Sequence, residues 1–326
     1  MRSEGGLISE EDLIRYRAVE RKPIRGTYRG YDIVSIPPPS SGGTTLVEML
    51  NILEGFNLAE AGHNSPQYMH LLTEAMRRGF ADRAAFLGDP DFNESLPIDT
   101  LTSKGHASKL RASIDLNQAS PSDERKYAAI YESEDTTHFS VVDKAGNMVS
   151  LTYTLEQSYG SRIVAKGGGY LLNNEMGDFN PVPGVTNRFG QIGTKPNLIE
   201  PEKRMLSSMT PTIVARNGKP LMAIGSPGGR TIINTNLQLI LNVIDHKMDI
   251  AQSIEAQRIH HQWLPDFTTM EPGAASADTL ENYQALGHEV KIRNIGMAMG
   301  VYHDFENRLF LGAADSRGGD SAAVGY

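Results

Sequence analysis

A threonine at the junction between a polar segment and a strand is the first candidate for chemistry in this sequence. Thr136 follows Asp135 and opens a run, Thr137–Asp143, that predicts a strand. A threonine hydroxyl is a weak nucleophile and needs a base. If the chain is cut before Thr136, the freed α-amino group lies within reach of the hydroxyl and can act as that base, because its pKa is far below that of lysine. A strand that simply begins at a threonine also explains these residues.

A glycine-rich segment ahead of a helical stripe is the second candidate. Gly225–Gly229 precedes apolar residues at helical spacing. Glycines in that position leave backbone N–H groups available to an anion or a developing oxyanion, although a simple loop fits as well. Ser226 does not form the nucleophile elbow of hydrolases, because glycine directly precedes it and proline follows it.

Two polar groups could bind the charged ends of a small molecule. Ser207 and Ser208 lie ahead of a predicted strand, where paired hydroxyls can bind a carboxylate or cap a turn. A polar loop after another predicted strand could bind an ammonium group, or could be only a surface loop. Its candidate residues are Asn173, Asn174, Glu175 and Asp178.

Several other chemistries are excluded. The sequence contains no dinucleotide-binding glycine motif, no Walker loop and no H-E-x-x-H zinc motif. Cysteine is absent, so no disulfide or thiolate metal site can form. His260 and His261 are adjacent, and their side chains diverge on a regular element. We therefore expect them to serve packing and surface hydrogen bonding, and we expect neither a metal nor a cofactor.

The elements before Thr136 are mostly helical. Ser9 with Asp12 predicts a helix start, and Ser65–Pro66 predicts another. The run Pro37–Gly43 is excluded from helix or central strand by its prolines and glycines, and a helical stripe follows it at Leu46, Leu50, Leu53 and Phe56. The polar stretch Ser103–Ser133 predicts a solvated connector.

The elements after Thr136 are mostly strands. His138–Asp143 and Met148–Thr154 predict a hairpin. Further strands are predicted at Tyr170–Leu172, Thr212–Ala215 and Leu221–Ile224, followed by a helix with Ile233, Leu237, Leu241 and Ile244 on its apolar face. This mixture indicates an α+β fold with layered α/β/β/α packing.

Composition narrows the function classes. The chain has 326 residues and a net charge of −8, with 39 acidic against 31 basic residues, which argues against a nucleic-acid binder. No apolar run approaches the roughly 18–20 residues that span a bilayer. The first residues are polar, glycine-rich and then acidic, so we expect no signal peptide there.

Taken together, these motifs resemble those of the γ-glutamyltransferases (glutathione hydrolases) along nearly the whole chain. The similar stretches are Pro37–Gly43 with its helix, Met76–Arg83, Asp135–Asp143, Leu171–Asn174, Lys203–Thr212, Gly225–Gly229 and His260–Pro265. Their order and spacing make the resemblance specific.

The resemblance implies a fold and an activity. The fold would be the αββα sandwich of N-terminal-nucleophile hydrolases. The precursor would cut itself before Thr136, so that residues 1–135 belong to the large-subunit region with a polar connector, and residues 136–326 form the small catalytic subunit. The two subunits would stay associated. Glutathione or another γ-glutamyl amide would acylate the threonine, and water or an amino acid or peptide amine would accept the glutamyl group.

The resemblance also assigns roles to residues. Thr136 would be the nucleophile and Thr154 would assist it. Gly228 and Gly229 would supply oxyanion-hole N–H groups, Ser207 and Ser208 would bind the α-carboxylate, and three acidic residues would surround the α-ammonium. Those three are Glu156, Glu175 and Asp178. Position 156 is asparagine in some members, so a glutamate there should strengthen the grip on the ammonium.

Two further features of the family can be compared with this chain: a loop over the pocket and a segment that precedes residue 1. Asn180–Thr194, with Phe189, would correspond to a loop that covers the pocket. The family precursor has a long segment ahead of the point where this chain begins, including a signal peptide and an arginine that pairs with the substrate carboxylate. No residue here matches that arginine, so we expect an N-terminally truncated member of a periplasmic or secreted family.

Two alternatives remain open. The first is a related acylase of the same fold that acts on a β-lactam side chain or a glutaryl amide. The Ser207–Ser208 pair and Asp178 favour a glutamyl substrate over a glutaryl one. The second is an inactive fragment that needs a partner chain. Failure to cleave before Thr136 would support that reading.

Overall fold

Several helices of the computed structural model pack on one large sheet. The structure describes residues 5–122, 136–180 and 194–325. Within these ranges helices α1–α9 are Glu10–Arg15, Gly42–Leu53, Leu58–Ala61, Pro66–Phe86, Ile98–Leu101, Lys104–Ala112, Thr231–Ile244, Ile250–Glu255 and Ala277–Ala285. Short 3₁₀ turns occur at Glu175–Asp178 and Lys195–Asn197.

The central sheet is antiparallel and draws on both sides of Thr136. Strands β1–β11 are Ile24–Tyr28, Tyr31–Ser35, Thr136–Val142, Met148–Thr154, Thr212–Arg216, Lys219–Gly225, Ile259–His260, Thr268–Met270, Val290–Ile292, Met299–Asp304 and Leu309–Ala314. The six-stranded sheet has the order β1-β2-β5-β6-β10-β11. Ser35 of β2 pairs with Thr212 of β5, so the regions before and after Thr136 share one sheet.

The core is formed by this sheet, by helices α2 and α7, which contact it, and by α4, which packs on α2. The apolar stripe of α2 is buried, including Leu46 and Leu50, and α7 buries Leu237 and Leu241. Each fully buried leucine contributes about 1.5–3 kcal/mol relative to an exposed one. Helix α2 begins at Gly42, where a side chain would lie 2.2 Å from the Met209 backbone oxygen, so only glycine allows this close approach.

The hairpin β3–β4 has an inverted pattern of burial. Thr136 pairs with Thr154, and the polar residues of that register face inward. The outward face carries apolar side chains that are each between 38% and 55% exposed: Phe139, Val141, Val149, Leu151 and Tyr153. An apolar patch of this kind on a sheet indicates a surface that another layer covers.

Most predicted elements are confirmed. Ser9 caps α1 with Asp12 in a capping box, and Ser65 caps α4. The hairpin, β5, β6 and α7 also occur where they were predicted, and α7 contacts β6 as expected of a helix on a sheet. None of the helices in the described ranges is long and apolar enough to cross a membrane.

Three predictions about elements were wrong. The run Pro37–Gly43 was excluded from helix, yet its last two glycines are the first residues of α2. The connector Ser103–Ser133 contains α6, which Ser103 caps and which buries Ala107. Tyr170–Leu172 is not a strand, because Leu171 makes only an isolated bridge with Val164.

Leu50→Ala and Leu151→Ala should differ sharply in stability. Leu50 is 1% exposed in the core, so its truncation should cost about 2–5 kcal/mol of unfolding free energy. Leu151 is 38% exposed, so its truncation should change stability by less than about 0.5 kcal/mol. Urea denaturation followed by circular dichroism measures both, and equal losses would contradict this arrangement of layers.

Candidate functional site

Thr136 begins β3 beside the end of β4. Its Oγ1 donates a hydrogen bond to Thr154 Oγ1 at 3.4 Å, and the Glu156 N–H donates to the same Thr154 oxygen at 2.9 Å. The Thr136 side chain is therefore held at a strand terminus, next to the turn that leads into the acidic residues. Asp135, which precedes it, lies outside the described residues.

Polar side chains fasten the inner face of the hairpin to the central sheet. Ser150 Oγ donates to the Ile224 backbone oxygen at 2.8 Å and accepts from the Thr212 N–H at 3.0 Å. His138 is buried against Gly225, where a side chain would lie 2.1 Å from the imidazole ring. These contacts fix the end of β3 relative to the end of β6, from which the glycine segment continues.

The His138 imidazole is neutral, and both of its nitrogens have hydrogen-bond partners. Its Nδ1 lies 2.7 Å from Thr152 Oγ1 and its Nε2 lies 3.0 Å from Ser140 Oγ. Burial lowers the pKa of His138 to about 4. A neutral ring in this place supports the strand geometry behind Thr136 without adding charge to the site.

The acidic residues come together through two backbone connections. The Gln157 N–H donates to Asn174 Oδ1 at 3.1 Å, and the Asn174 N–H donates to the Leu155 backbone oxygen at 3.1 Å. These bonds place Glu156, in a left-handed backbone conformation with φ of 75°, beside Glu175.

Glu175 is buried among like charges. It is 7% exposed, and its Oε2 has no hydrogen-bond partner among the described residues. Desolvation, followed by the charges of Asp178 and Glu156, raises the pKa of Glu175 to about 8. Burial and the nearby carboxylates keep this carboxyl group protonated near neutral pH. A cationic ligand bound beside these groups would be stabilised by their negative charge.

The two serines differ in how their hydroxyl groups are used. Ser207 Oγ donates to Ser40 Oγ at 3.1 Å and accepts from the Met209 N–H at 3.0 Å, so its hydrogen bonds stay within the protein. Ser208 Oγ accepts from Arg83 Nη2 at 2.9 Å. Because that lone pair is taken, the Ser208 hydroxyl proton is left to point to another acceptor.

Arg83 is a residue of this site that the sequence did not single out. Arg83 is 5% exposed, and its guanidinium also donates through Nε to Ser41 Oγ at 2.8 Å. It therefore connects α4 with the serine pair and places a positive charge behind Ser208. Its position at the end of the run Met76–Arg83 was the available signal, but its contact with Ser208 depends on the fold.

The glycine segment turns sharply into α7. Gly228 has a φ of 125°, which only glycine adopts without strain, and Gly229 has a φ of 56°, in the left-handed region that favours glycine. Their carbonyl oxygens accept from Thr231 and Ile232 N–H groups at 3.0 and 3.3 Å. In the part of the chain that the structure describes, the N–H groups of these two glycines donate to no protein acceptor.

The predicted residues thus form connected groups. Thr136, Thr154, Glu156 and Glu175 are joined through the end of the hairpin, and the charge of Asp178 acts on Glu175. Ser207 and Ser208 belong to a second group with Arg83. Phe189 lies outside the described residues.

The two adjacent histidines serve packing, as expected, but they are buried rather than at the surface. His260 lies 2.7 Å from Asn234 Nδ2 and 2.9 Å from Gln262 Oε1, whereas His261 Nε2 lies 3.2 Å from Asp266. Each ring is committed to different partners, so the pair does not chelate.

Comparison with known proteins places this site in context. The family model described as gamma-glutamyltranspeptidase matches residues 1–325. The glutathione hydrolase proenzyme of Escherichia coli (strain K12) is 46% identical over 329 residues, covering 100% of this chain and 56% of that protein. The chain therefore spans little more than half the length of that relative.

Two acylases are also similar. The acylase ACY 1 proenzyme of Pseudomonas sp. (strain SE83) is 40% identical over 262 residues, which cover 79% of this chain and 44% of that protein. The crystal structure of cephalosporin acylase from Bacillus halodurans superposes with a TM-score of 0.84 at 24% identity, over 98% of this chain and 56% of that one. This likeness confirms the predicted α+β fold.

Glu175→Gln should change how stability depends on pH. Because the pKa of Glu175 is raised to about 8 from an ordinary value of 4.5, the unfolded chain loses this proton at lower pH than the folded chain does. This group therefore reduces the stability of the wild type progressively as pH rises from 4.5 to 8. Glutamine does not titrate, so the stability of the variant does not fall in this way.

Calorimetric melting temperatures at several pH values measure the effect. The difference between Glu175→Gln and wild type should be near zero at the acidic end and should grow in favour of the variant towards pH 8. Glu281→Gln, at an exposed position of α9, is the matched control. A difference between Glu175→Gln and wild type that does not vary with pH would contradict the raised pKa.

Proposed function

This chain belongs to the gamma-glutamyltranspeptidase family, and we propose that it carries the nucleophile of an enzyme that transfers and hydrolyses γ-glutamyl groups. Glutathione and other γ-glutamyl amides are the proposed donors. The observation that carries this proposal is the position of Thr136 at a strand terminus, where it is hydrogen-bonded to Thr154. The same Thr154 oxygen accepts from the Glu156 N–H, and the charge of Glu156 acts on Glu175.

In this proposal the chain is cut before Thr136. The names of both curated relatives describe proenzymes, which supports a processed precursor. Cleavage gives Thr136 a free α-amino group, which takes the proton from its own hydroxyl as that oxygen attacks. The parts 1–135 and 136–326 would remain together, because β2 and β5 are neighbours in one sheet.

The two groups of residues match the two charged groups on the α-carbon of a glutamyl substrate, its ammonium and its carboxylate. Glu156, Glu175 and Asp178 suit the α-ammonium, and its arrival would lower the pKa of Glu175 by supplying an opposite charge. The Ser208 hydroxyl would donate a hydrogen bond to the α-carboxylate, with the Arg83 guanidinium behind it. Ser207 would contribute mainly by holding this loop in place.

The reaction would proceed through an acyl-enzyme. Thr136 Oγ1 attacks the γ-carbonyl carbon, and the developing oxyanion accepts hydrogen bonds from the N–H groups of Gly228 and Gly229. The α-amino group passes its proton to the leaving amine as the amide bond breaks. Water, or the amine of an amino acid or peptide, then attacks the ester and restores the threonine. Phe189 and its loop would cover the pocket.

The rest of the enzyme is also part of the proposal. The exposed apolar face of β3–β4 is the surface on which the portion found in the longer relatives would pack, completing the second helical layer of the sandwich. That portion would also supply the arginine for the α-carboxylate. By family resemblance the enzyme acts in the periplasm or outside the cell, and its acidic composition argues against a nucleic-acid partner.

A related acylase is the second candidate function. It is favoured by the 40% identity to the Pseudomonas acylase. A glutaryl amide lacks the α-ammonium, so it would bring no opposite charge to the buried carboxyl group of Glu175. This cost favours the glutamyl substrate.

Self-cleavage tests the role of Thr136 directly. The purified chain should separate under denaturing conditions into polypeptides 1–135 and 136–326, because the hydroxyl of Thr136 starts the cleavage. Thr136→Ala should stay whole. Thr137→Ala, at the exposed neighbouring position, should be cut as the wild type is. Intact-mass spectrometry measures all three.

Two outcomes would count against the proposal. Cleavage of Thr136→Ala at the wild-type rate would remove Thr136 from the mechanism. A wild-type chain that stays whole would mean that this chain does not mature alone, and the reading as a non-catalytic fragment that needs a partner would replace the proposal for it.

A pair of chromogenic anilides tests the substrate class. The γ-glutamyl and glutaryl anilides differ only in the α-ammonium, and we expect kcat/KM to be about 10- to 100-fold higher for the former, since a charged hydrogen bond contributes about 1.5–3 kcal/mol. Glu175→Gln should reduce this ratio by weakening the contact. A ratio below one would favour the acylase function.

A further inference from the structure

Three side chains from three helices form a cluster away from the proposed active site. Glu48 lies on α2, Asp82 on α4 and His106 on α6. His106 Nε2 lies 2.7 Å from Asp82 Oδ2 and 3.4 Å from Glu48 Oε1. One ligand atom from each residue lies within 4.8 Å of the others. No part of the proposed catalytic or substrate-binding set is included.

The burial of Glu48 sets this cluster apart from an ordinary surface ion pair. Glu48 is 1% exposed, and its Oε1 has no hydrogen-bond partner among the described residues. Two adjacent carboxyl groups in a buried place require either a proton or a cation between them.

Nearby basic side chains are engaged elsewhere. Lys104, the first residue of α6, forms its ion pair with Glu54 at 2.6 Å. Arg83, which follows Asp82, donates to Ser41 and Ser208. Within the described ranges the ion pairs of Glu48 and Asp82 are both with His106. One imidazole carries at most one positive charge, so His106 cannot balance both carboxyl groups when they are ionised.

We propose that Glu48, Asp82 and His106 form a binding site for one divalent first-row metal ion, of which zinc is the best match. Two carboxylate oxygens and one imidazole nitrogen are a ligand set that zinc accepts, with water completing a four-coordinate site. The ion would join α2, α4 and α6, and so would act on stability. This inference does not depend on the proposed catalytic function.

The distances are compatible with such a site. Ligands about 2.1 Å from a tetrahedral ion lie about 3.4 Å from one another. The separation of 3.4 Å between His106 and Glu48 already meets this value, and the 2.7 Å hydrogen bond between His106 and Asp82 would lengthen as the metal replaces its proton. Asp82 and His106 are 18% and 22% exposed in their side chains, which gives an ion a route to the buried carboxyl group.

Zinc binding to the purified, chelator-treated full chain tests the proposal. Equilibrium dialysis against micromolar zinc chloride, followed by elemental analysis, should find one zinc ion per chain. Glu48→Gln and His106→Gln should each weaken binding by more than about 10-fold, because each removes a ligand. Glu48→Gln keeps the shape of a protonated glutamate, so the fold should be retained. His303→Gln, outside the cluster, is the matched control.

The readout does not involve enzyme activity, so the result is independent of whether the chain is catalytic. A melting temperature that rises with zinc in the wild type and in His303→Gln, but not in Glu48→Gln, would support the site. Absence of zinc binding by the wild type would overturn the proposal. Unchanged zinc binding by both Glu48→Gln and His106→Gln would place the ion elsewhere and would also overturn it.

Discussion

The attachment of the β3–β4 hairpin to the central sheet is the constraint on which the site depends. Ser150 bridges β5 and β6 with one hydroxyl group, and His138 fills the space left by the missing side chain of Gly225. A hydroxyl group that serves both as donor and acceptor between two strands satisfies buried backbone groups that would otherwise be costly. The attachment fixes where β3 begins, and hence where Thr136 lies.

A second physical theme is buried negative charge near the hairpin end. Desolvation of the buried Glu175, followed by the charges of Asp178 and Glu156, raises its pKa to about 8, so its proton is retained near neutral pH. Such a group lowers the stability of the folded chain above its ordinary pKa. An arrangement that costs stability without a ligand is expected at a binding site, because a cation restores the balance.

The distribution of apolar surface relates this chain to its longer relatives. The inner face of the hairpin is polar and the outer face is apolar, the reverse of an edge hairpin that faces water. At the same time β1 and β2, from before Thr136, complete the sheet formed by the later strands. The proposed cleavage would thus separate the backbone at a point where the two parts are already held by sheet hydrogen bonds and a common core.

The residues alone determined the local elements and the candidate nucleophile, while the contacts between distant elements were decided by the fold. Caps at Ser9 and Ser65 and the strand alternation around Met148–Thr154 are local signals, and they predicted elements that the structure contains. Family resemblance then assigned roles to Thr136 and Glu175, but not the buried environment that raises the pKa of the latter.

What the sequence missed has one physical cause. Helix α6 is polar and was predicted as a connector, but it buries Ala107 and packs against α2. Tyr170–Leu172 has strand composition yet no ladder partner. The contact of Arg83 with Ser208 joins residues far apart in the chain, as does the cluster of Glu48, Asp82 and His106. Periodicity and capping act over a few residues, whereas burial and charge pairing depend on neighbours that only tertiary packing supplies.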